Sequence, residues 1–226
     1  MRVRYGLPFE NRERTVDEMI KTYEGHEVAI HTVTHPFLNK ISKQSITAEI
    51  FKDRENLEEI FGGTIRGGAY PNGPYDERAL QVLEDCGIKY FRTVKSTGNF
   101  KIPEKWLELE PTCHHDDPEL FELCDRFVND EPRWSSLELF YVWGHTYEFD
   151  RKNNWDRIEE FFEKVSNHDN VWYATNIEIY DYLECYNLLQ TSLDCKYIYN
   201  PTAKTIYFCC EAGEMEIKPG ETINLR

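Results

Sequence analysis

The chain has 226 residues, of which 40% are hydrophobic, and this is enough apolar material for one large domain or for one domain with a small appendage. Its formal net charge of −15 disfavours nucleic-acid backbones and anionic membrane surfaces as partners, because like charges repel. No run of about 18 apolar residues is present, so the sequence predicts no membrane-spanning segment.

The seven cysteines are an odd number, and they follow neither zinc-finger nor CxxC spacing. They are therefore predicted to be mostly buried, reduced thiols, which favours a cytoplasmic protein. The first residues also lack the pattern of a signal peptide. A cytoplasmic location is thus expected for the chain as written. If the true start lies further upstream, the sequence does not predict the location.

Helix and strand signals alternate from residue 15 to residue 189. Helices are predicted at 15–25, 46–61, 75–86, 117–129, 155–167 and 177–189. Strands are predicted at 27–31, 64–69, 88–94, 137–143 and 171–174. The first helix begins with the capping-box pattern of Thr15 and Glu18, and Asp117-Pro118 favours the start of another helix. Alternation of this kind predicts a parallel sheet wrapped by helices.

The pattern changes after residue 190. Short strand-like runs occur at 197–199, 205–210, 214–217 and 222–225, with turn residues between them. The sequence thus predicts a domain at 1–189 and a small β-rich appendage at 190–226. The appendage could pack against the first domain or act as a flap that contacts a ligand.

Two histidines, His31 and His35, follow a short apolar run and could together hold one divalent ion. Spacing of this kind often marks two ligands on one helix face. Residues 32–34 are all β-branched, however, and Pro36 keeps His35 out of the right-handed helical region. The pair is therefore predicted where a strand ends and a loop begins, either as metal ligands or as ordinary surface or core histidines.

Two later segments complete a recognisable order of motifs. Residues 66–73 read Arg-Gly-Gly-Ala-Tyr-Pro-Asn-Gly, and residues 137–145 form a strand-like run that ends in a histidine. With the Gly-His-Glu and His-Thr-x-x-His patterns of residues 25–35, they resemble the polysaccharide deacetylases of carbohydrate esterase family 4, the NodB-homology group. That family has an R-x-x-x-Y-P-x-G segment and a late histidine at the end of a strand, and the resemblance covers about residues 20 to 150.

The resemblance implies an α/β fold, namely an irregular (β/α) barrel that is incomplete at its N-terminus. It also implies a metal-dependent hydrolase that removes N- or O-linked acetyl groups from a carbohydrate or a related small amide. Zinc suits imidazole and carboxylate ligands best, and nickel or cobalt would also fit. An exposed sheet edge would in addition allow a homodimer.

Metal binding and proton transfer are the roles that the resemblance assigns to the histidines. His31 and His35 would be two of the three protein ligands of the metal. His145 would be the general acid that protonates the leaving group. Arg66 would position the aspartate that acts as the catalytic base.

Further residues would shape the substrate site. By resemblance, the backbone N–H of Tyr70 would donate to the developing oxyanion, and Pro71 and Gly73 would hold the shape of its loop. Trp143 would form part of a sugar-binding wall. His115, in a polar cluster before a predicted helix, is a candidate substrate contact.

The family's opening strand, which ends in a pair of aspartates, is not found in this sequence. Either the true start lies upstream, or the chain is a remnant that serves as a non-catalytic carbohydrate-binding protein. Asp116, Asp117 and Asp150 are conceivable substitutes, although helix capping or solvent exposure explains them more simply. The sequence therefore predicts weak metal binding, little or no activity, and an Arg66 that is exposed or bound to an anion.

Overall fold

A computed structural model describes residues 15–129, 137–211 and 213–225. The chain divides into two compact units, Met1–Tyr173 and Ala174–Arg226. The sequence predicted a boundary at 189/190, after the predicted helix 177–189, whereas the division between the two units falls before that helix. The expectation of a missing first strand concerns residues 1–14 and whatever precedes them, which lie outside the described residues.

Unit 1 alternates helices with short strands. Its helices are α1 (Val16–Thr22), α2 (Lys43–Phe61), α3 (Glu77–Asp85), α4 (Leu120–Asn129), α5 (Thr146–Lys152) and α6 (Trp155–Val165). Its strands are β1 (Gly67–Ala69), β2 (Tyr90–Arg92), β3 (Cys113–His114) and β4 (Val142–Trp143). The predicted capping box of Thr15 and Glu18 is present at α1. None of the helices in the described residues combines the length and apolarity that crossing a membrane requires.

The strands of unit 1 pair in parallel. Ile30 bridges to Gly68, β1 pairs with β2, Arg92 bridges to Leu109, and β3 pairs with β4. Because the strands run in one direction, their carboxyl ends lie on the same edge, where loops of an α/β fold usually carry functional side chains. The predicted parallel arrangement is therefore confirmed.

Gly68 makes the close approach of the first strands possible. A Cβ at this position would lie 2.2 Å from Cε2 of Phe91 and 2.6 Å from the carbonyl oxygen of Ile30. Only a residue without a side chain fits between these strands, because the backbone oxygen cannot move aside without breaking the bridge.

Two apolar clusters support unit 1. The first packs α2 and α3 on the β1–β2 pair, and its fully buried members include Ile30, Leu38, Ile46, Ile50, Leu83 and Phe91. The second packs α4 and α6 beside β3 and β4, and it contains Phe100, Cys113, Leu120, Leu123, Cys124 and Phe161. Both clusters leave the carboxyl edge of the strands to polar residues.

Unit 2 consists of one helix and five short strands. These are α7 (Asn176–Asn187), β5 (Gln190–Thr191), β6 (Tyr197–Tyr199), β7 (Ile206–Cys210), β8 (Gly213–Ile217) and β9 (Thr222–Asn224). The strands form an antiparallel sheet in the order β5-β6-β9 and a β7–β8 hairpin around Ile198, Ile206 and Ile217. The four predicted runs after residue 190 are confirmed, and β5 was not predicted.

Two predictions about unit 1 and the cysteines were wrong, and the elements α5 and β3 were not predicted. Residues 171–174 form no strand, and Trp172 is 57% exposed, so the aromatic run was mistaken for a buried one. Helix α5 was missed because its N-cap is a histidine rather than a common capping residue. All seven cysteines are free, but only Cys113 and Cys124 are buried, and Cys195 and Cys209 are exposed.

Candidate metal centre and active site

His31 and His35 lie in the loop that follows Ile30, at the carboxyl edge of the strands. Their Nε2 atoms are 3.1 Å apart, and Nδ1 of His31 is 2.8 Å from the carbonyl oxygen of Ala69. Because the carbonyl can only accept, Nδ1 of His31 carries the proton and Nε2 keeps a lone pair in the neutral ring. This is the usual arrangement of a metal-binding histidine with its supporting hydrogen bond.

The electrostatic environment keeps His31 neutral. Burial lowers the pKa of His31 to about 4, against the opposing effect of its hydrogen bond to Ala69. The nearby charges of His35, Arg92 and His145 lower the pKa further. A neutral imidazole is the form that binds a metal ion.

Two residues of the loop hold unusual backbone conformations. Thr32 has φ 65° and His35 has φ 58°, both in the left-handed region. This conformation is a genuine outlier for β-branched Thr32, and strain of this kind costs of order 1–3 kcal/mol unless the surrounding structure compensates for it.

Carboxylates of α2 compensate for this strain. Oδ2 of Asp53 accepts the N–H of His31 at 2.8 Å, and Asp53 also accepts the N–H of Thr32. One turn earlier, Glu49 accepts the N–H of Thr34 at 2.8 Å and its hydroxyl at 2.6 Å. Asp53 is only 3% exposed. The α2 helix thus holds the shape of the histidine loop.

Sequence reasoning missed Asp53, although a signal for it exists. The buried face of α2 is formed by Ile46, Ile50, Asp53 and Leu57, so a carboxylate occupies a position of the apolar stripe. A buried carboxylate needs hydrogen-bond donors, and a neighbouring loop with unpaired N–H groups can supply them.

The histidine pair could supply two ligands to a metal ion, and a third ligand would have to come from another residue. Within the described ranges, no carboxylate, thiol or further histidine joins it in a group of three. The conceivable substitutes lie elsewhere. Asp116 pairs with Lys152, Asp117 accepts the N–H of Glu119, and Asp150 accepts Nε1–H of Trp155.

The structure corrects the role predicted for Tyr70. Its backbone N–H donates to the carbonyl oxygen of Arg92 at 3.0 Å and so extends the pairing of β1 with β2. The group is therefore not available to an oxyanion in this structure. The Tyr70 ring is 1% exposed, and its hydroxyl donates to the carbonyl oxygen of Leu107 at 2.7 Å.

Pro71 and Gly73, which were predicted to hold the shape of this loop, lie in close packing. Both residues are buried, and Gly73 has φ 95°. A Cβ at Gly73 would lie 2.6 Å from Cγ2 of Val94. Between them, exposed Asn72 has φ 58° and places its Nδ2 3.4 Å from Nδ1 of His35, a contact that the sequence did not predict.

Arg66 and Arg92 occupy opposite ends of neighbouring strands. Arg66 precedes β1, and its carbonyl oxygen accepts the N–H of Lys89, whereas the histidine pair lies beyond the carboxyl end of β1. Arg92 ends β2, and its charge acts on His31. This placement does not support the catalytic role predicted for Arg66.

His145 and Trp143 lie at the end of β4, as predicted. The His145 side chain is 43% exposed, and its Nδ1 is 3.3 Å from Oε2 of Glu148. The guanidinium of Arg92 lies 4.3 Å from the centre of the Trp143 ring. Trp143 is half-buried under this cation, so only part of its ring is open to a sugar.

His115 does not face solvent, contrary to its predicted role as a substrate contact. It is 3% exposed, and its Nε2 is 2.8 Å from Oε2 of Glu148. Glu148 also accepts the N–H of His145 at 3.2 Å. The sequence signal for Glu148 was the three-residue spacing from His145, which is that of a capping box.

Comparison with known proteins agrees with this architecture. Residues 9–91 match the family model for polysaccharide deacetylase. Chitin deacetylase 2 of Cryptococcus neoformans var. grubii is 26% identical over 65 residues, which are 29% of this chain and 14% of that protein. This chain therefore matches only a small part of that relative's length.

A solved structure from Mycobacterium smegmatis shows the same fold. A protein assigned as a polysaccharide deacetylase from Mycobacterium smegmatis is similar with a TM-score of 0.52 and 19% identity, over 78% of this chain and 70% of that one. A Streptococcus pyogenes deacetylase in complex with acetate has a TM-score of 0.41 and 23% identity, over 46% of each chain. The predicted (β/α) barrel type is confirmed, and the similarity to the polysaccharide deacetylase family model lies in residues 9–91.

Proposed function

We propose that this chain takes part in the hydrolytic removal of N- or O-linked acetyl groups from a carbohydrate or a related small amide, with a divalent metal ion held by His31 and His35. The observation that carries the proposal is the 3.1 Å separation of the two Nε2 atoms, together with the hydrogen bond from Nδ1 of His31 to Ala69. Zinc is the first choice, since imidazole is among its common ligands.

Residues around the pair would support the reaction in distinct ways. A bound divalent metal ion would polarise the acyl oxygen and make water at the site more acidic. Asp53 keeps the N–H groups of the loop in place, so both imidazoles stay aimed at one point. The positive charge of Arg92 favours the negative charge that develops on the acyl group.

His145 is the group that would protonate the departing amine or alkoxide. Its Nδ1 faces Glu148 at 3.3 Å, and the ring is well exposed. A histidine held by a carboxylate on one nitrogen can give and take a proton at the other.

Among the described residues, no third metal ligand forms a group of three with the histidine pair. We therefore expect weak metal binding and little or no deacetylation by this chain unless a residue outside the described ranges supplies the missing carboxylate. The same observation favours a second function, in which the chain binds acetylated carbohydrate without hydrolysing it.

Metal content with zinc supplied, measured by elemental analysis, tests the proposal. With zinc present in excess throughout the measurement, we expect up to about one equivalent of weakly bound zinc in the wild type, less in His31→Ala, and the wild-type amount in the control His26→Ala, an exposed histidine outside the pair. Absence of zinc from all three proteins, or equal binding in all three, would contradict the proposed site.

Activity assays separate the two functions once zinc binding is established. Acetylated chitin oligosaccharides are the first substrates to test, because one relative is a chitin deacetylase, and acetylated xylan tests the O-linked reaction. Acetate release that depends on His31 supports hydrolysis. Binding of the oligosaccharide without acetate release supports the non-catalytic function.

A further inference from the structure

The β5-β6-β9 sheet of unit 2 carries two exposed tyrosines side by side. Tyr197 and Tyr199 lie on the central strand β6, and they are 48% and 38% exposed. Ile198, between them, points to the opposite face of the sheet and is buried. Two residues of a strand span about 7 Å, so one extended ligand can contact both rings.

Uncharged hydrogen-bonding side chains flank the two rings on both neighbouring strands. Gln190 of β5 and Thr222 of β9 lie opposite Tyr199, and Asn224 of β9 lies opposite Tyr197. Residues directly opposite each other in an antiparallel pair point to the same face of the sheet. All five side chains are exposed, and none of them is charged at neutral pH. The face thus combines aromatic rings with amide and hydroxyl groups.

Packing beneath the sheet holds this face in shape. Ile198 and Ile223 lie on its opposite side and pack with Ile206 and Ile217 of the β7–β8 hairpin. Just beyond β6, Nδ2 of the buried Asn200 donates to the carbonyl oxygen of Ile217 at 3.1 Å. A surface that is already ordered loses little conformational entropy when a ligand binds to it.

We propose that this sheet face binds a neutral oligosaccharide. The C–H groups on the face of a sugar ring pack on an aromatic ring, and the hydroxyl and acetamido groups at its edge need hydrogen-bond partners. Tyr197 and Tyr199 supply the aromatic surface, and the amide of Gln190 and the hydroxyl of Thr222 supply donors and acceptors at its two sides. The inference goes beyond the function proposed above and does not depend on it, because the face lies in unit 2 and needs no metal ion.

Size and charge argue against other occupants. A stable protein–protein interface takes about 20–30 residues from each side, whereas this face has five side chains. Nucleic-acid bases could also stack on tyrosines, but their phosphates would be repelled by the net charge of −15. A neutral ligand of a few sugar rings is therefore the best match.

NMR signals of ¹³C-labelled tyrosine rings in the full-length, metal-free chain test the proposal. Chitohexaose and cellohexaose are the two probes, and the signals of Tyr197 and Tyr199 are identified by their loss in Tyr197→Phe and Tyr199→Phe. We expect both signals to shift during titration with at least one probe. The two sugars differ in their acetamido and hydroxyl groups, so the stronger binder shows whether acetylated sugar is preferred, and binding of either one supports the proposal.

Alanine and phenylalanine variants separate stacking from hydrogen bonding. Tyr197→Ala and Tyr199→Ala should each weaken binding roughly tenfold, because each removes one of the stacking rings. The corresponding phenylalanine variants keep the rings and should keep most of the affinity.

Tyr207→Ala is the matched control. Tyr207 is 61% exposed in the same unit, but it lies on β7 opposite Glu216, outside the proposed face. Its ring signal should not shift, and its replacement should leave the affinity unchanged. Equal losses in Tyr207→Ala and Tyr199→Ala would mean that the sugar has no specific site, and the proposal would be wrong.

Other results would also overturn the proposal. These are the absence of a shift with either probe at millimolar concentration, and unchanged affinity in folded Tyr197→Ala and Tyr199→Ala. A doubled mass in sedimentation that both alanine variants abolish would assign the face to a second copy of this chain instead. If an alanine variant does not fold, the ring signals of the wild type and the affinities of the phenylalanine variants still decide the question. A failed zinc or deacetylation assay would leave this result unaffected.

Discussion

Removal of the Asp53 carboxylate should make the histidine loop less well ordered and lower the free energy of unfolding. Asp53 is 3% exposed and accepts the N–H groups of His31 and Thr32. Removal of the carboxylate would leave these two N–H groups without their acceptor, which costs about 1–3 kcal/mol each, although burial opposes the charged form and raises the pKa of Asp53. We expect Asp53→Ala to lower the free energy of unfolding by about 2–4 kcal/mol.

Asp53→Asn separates the charge of the side chain from its shape. The amide keeps one acceptor oxygen and replaces the other with a donor, so we expect about half of the loss seen in Asp53→Ala. Because the loop also aims the imidazoles, both variants should weaken zinc binding, by roughly tenfold or more for Asp53→Ala.

Urea unfolding and zinc titration of purified protein measure the two effects. Glu55→Ala is the control, since Glu55 lies on the same helix but makes an exposed ion pair with Lys52. Unfolding of Asp53→Ala at the same urea concentration as Glu55→Ala would show that Asp53 does not stabilise the loop. Zinc binding by Asp53→Ala as tight as that of the wild type would show that Asp53 does not aim the imidazoles.

Three further changes test other parts of the structure. Gly73→Ala should cost about 1–3 kcal/mol of unfolding free energy, because the new Cβ meets Val94, whereas Gly98→Ala, with a similar φ but open space, should cost less in the same urea assay. Hydrogen bonds from Arg54 and Ile65 lower the pKa of Glu58 in the folded protein below its ordinary value of 4.5. The Glu58 carboxylate therefore stabilises the fold above pH 4.5, and this contribution is lost as the pH falls through the lowered pKa. The stability difference between the wild type and Glu58→Gln, below about 1 kcal/mol at neutral pH, should therefore vanish in acid, and a constant difference would refute this. Tyr182→Phe removes a hydroxyl that donates to the carbonyl oxygen of Tyr207 and accepts its N–H, so hydrogen exchange of that N–H should accelerate, while exposed Tyr186→Phe should leave it unchanged.

The residues of the histidine loop were predictable because the information is local. The β-branched run and Pro36 exclude a helix at His35, and the apolar run before His31 favours a strand. The same holds for the short strands after residue 190, which turn residues delimit. Local propensity and periodicity act over a few neighbouring residues, and a sequence displays them directly.

The partners of the site residues were decided by tertiary structure. Asp53 accepts a hydrogen bond from His31, 22 positions away in the sequence. His115 and Glu148, which lie within hydrogen-bond distance, are 33 positions apart. The backbone N–H of Tyr70 is taken up by strand pairing, which depends on register rather than on residue type.

The sequence by itself therefore determined which segments carry the candidate ligands and the alternation of most helices and strands, but not α5, β3 or β5. Only the packing of α2 on the strands made Asp53 the support of the His31 loop. Only the pairing of β3 with β4 brought buried His115 within hydrogen-bond distance of Glu148. The physical reason is that hydrogen bonds and ion pairs act over a few ångströms, and the sequence alone does not specify which distant residues come within that range.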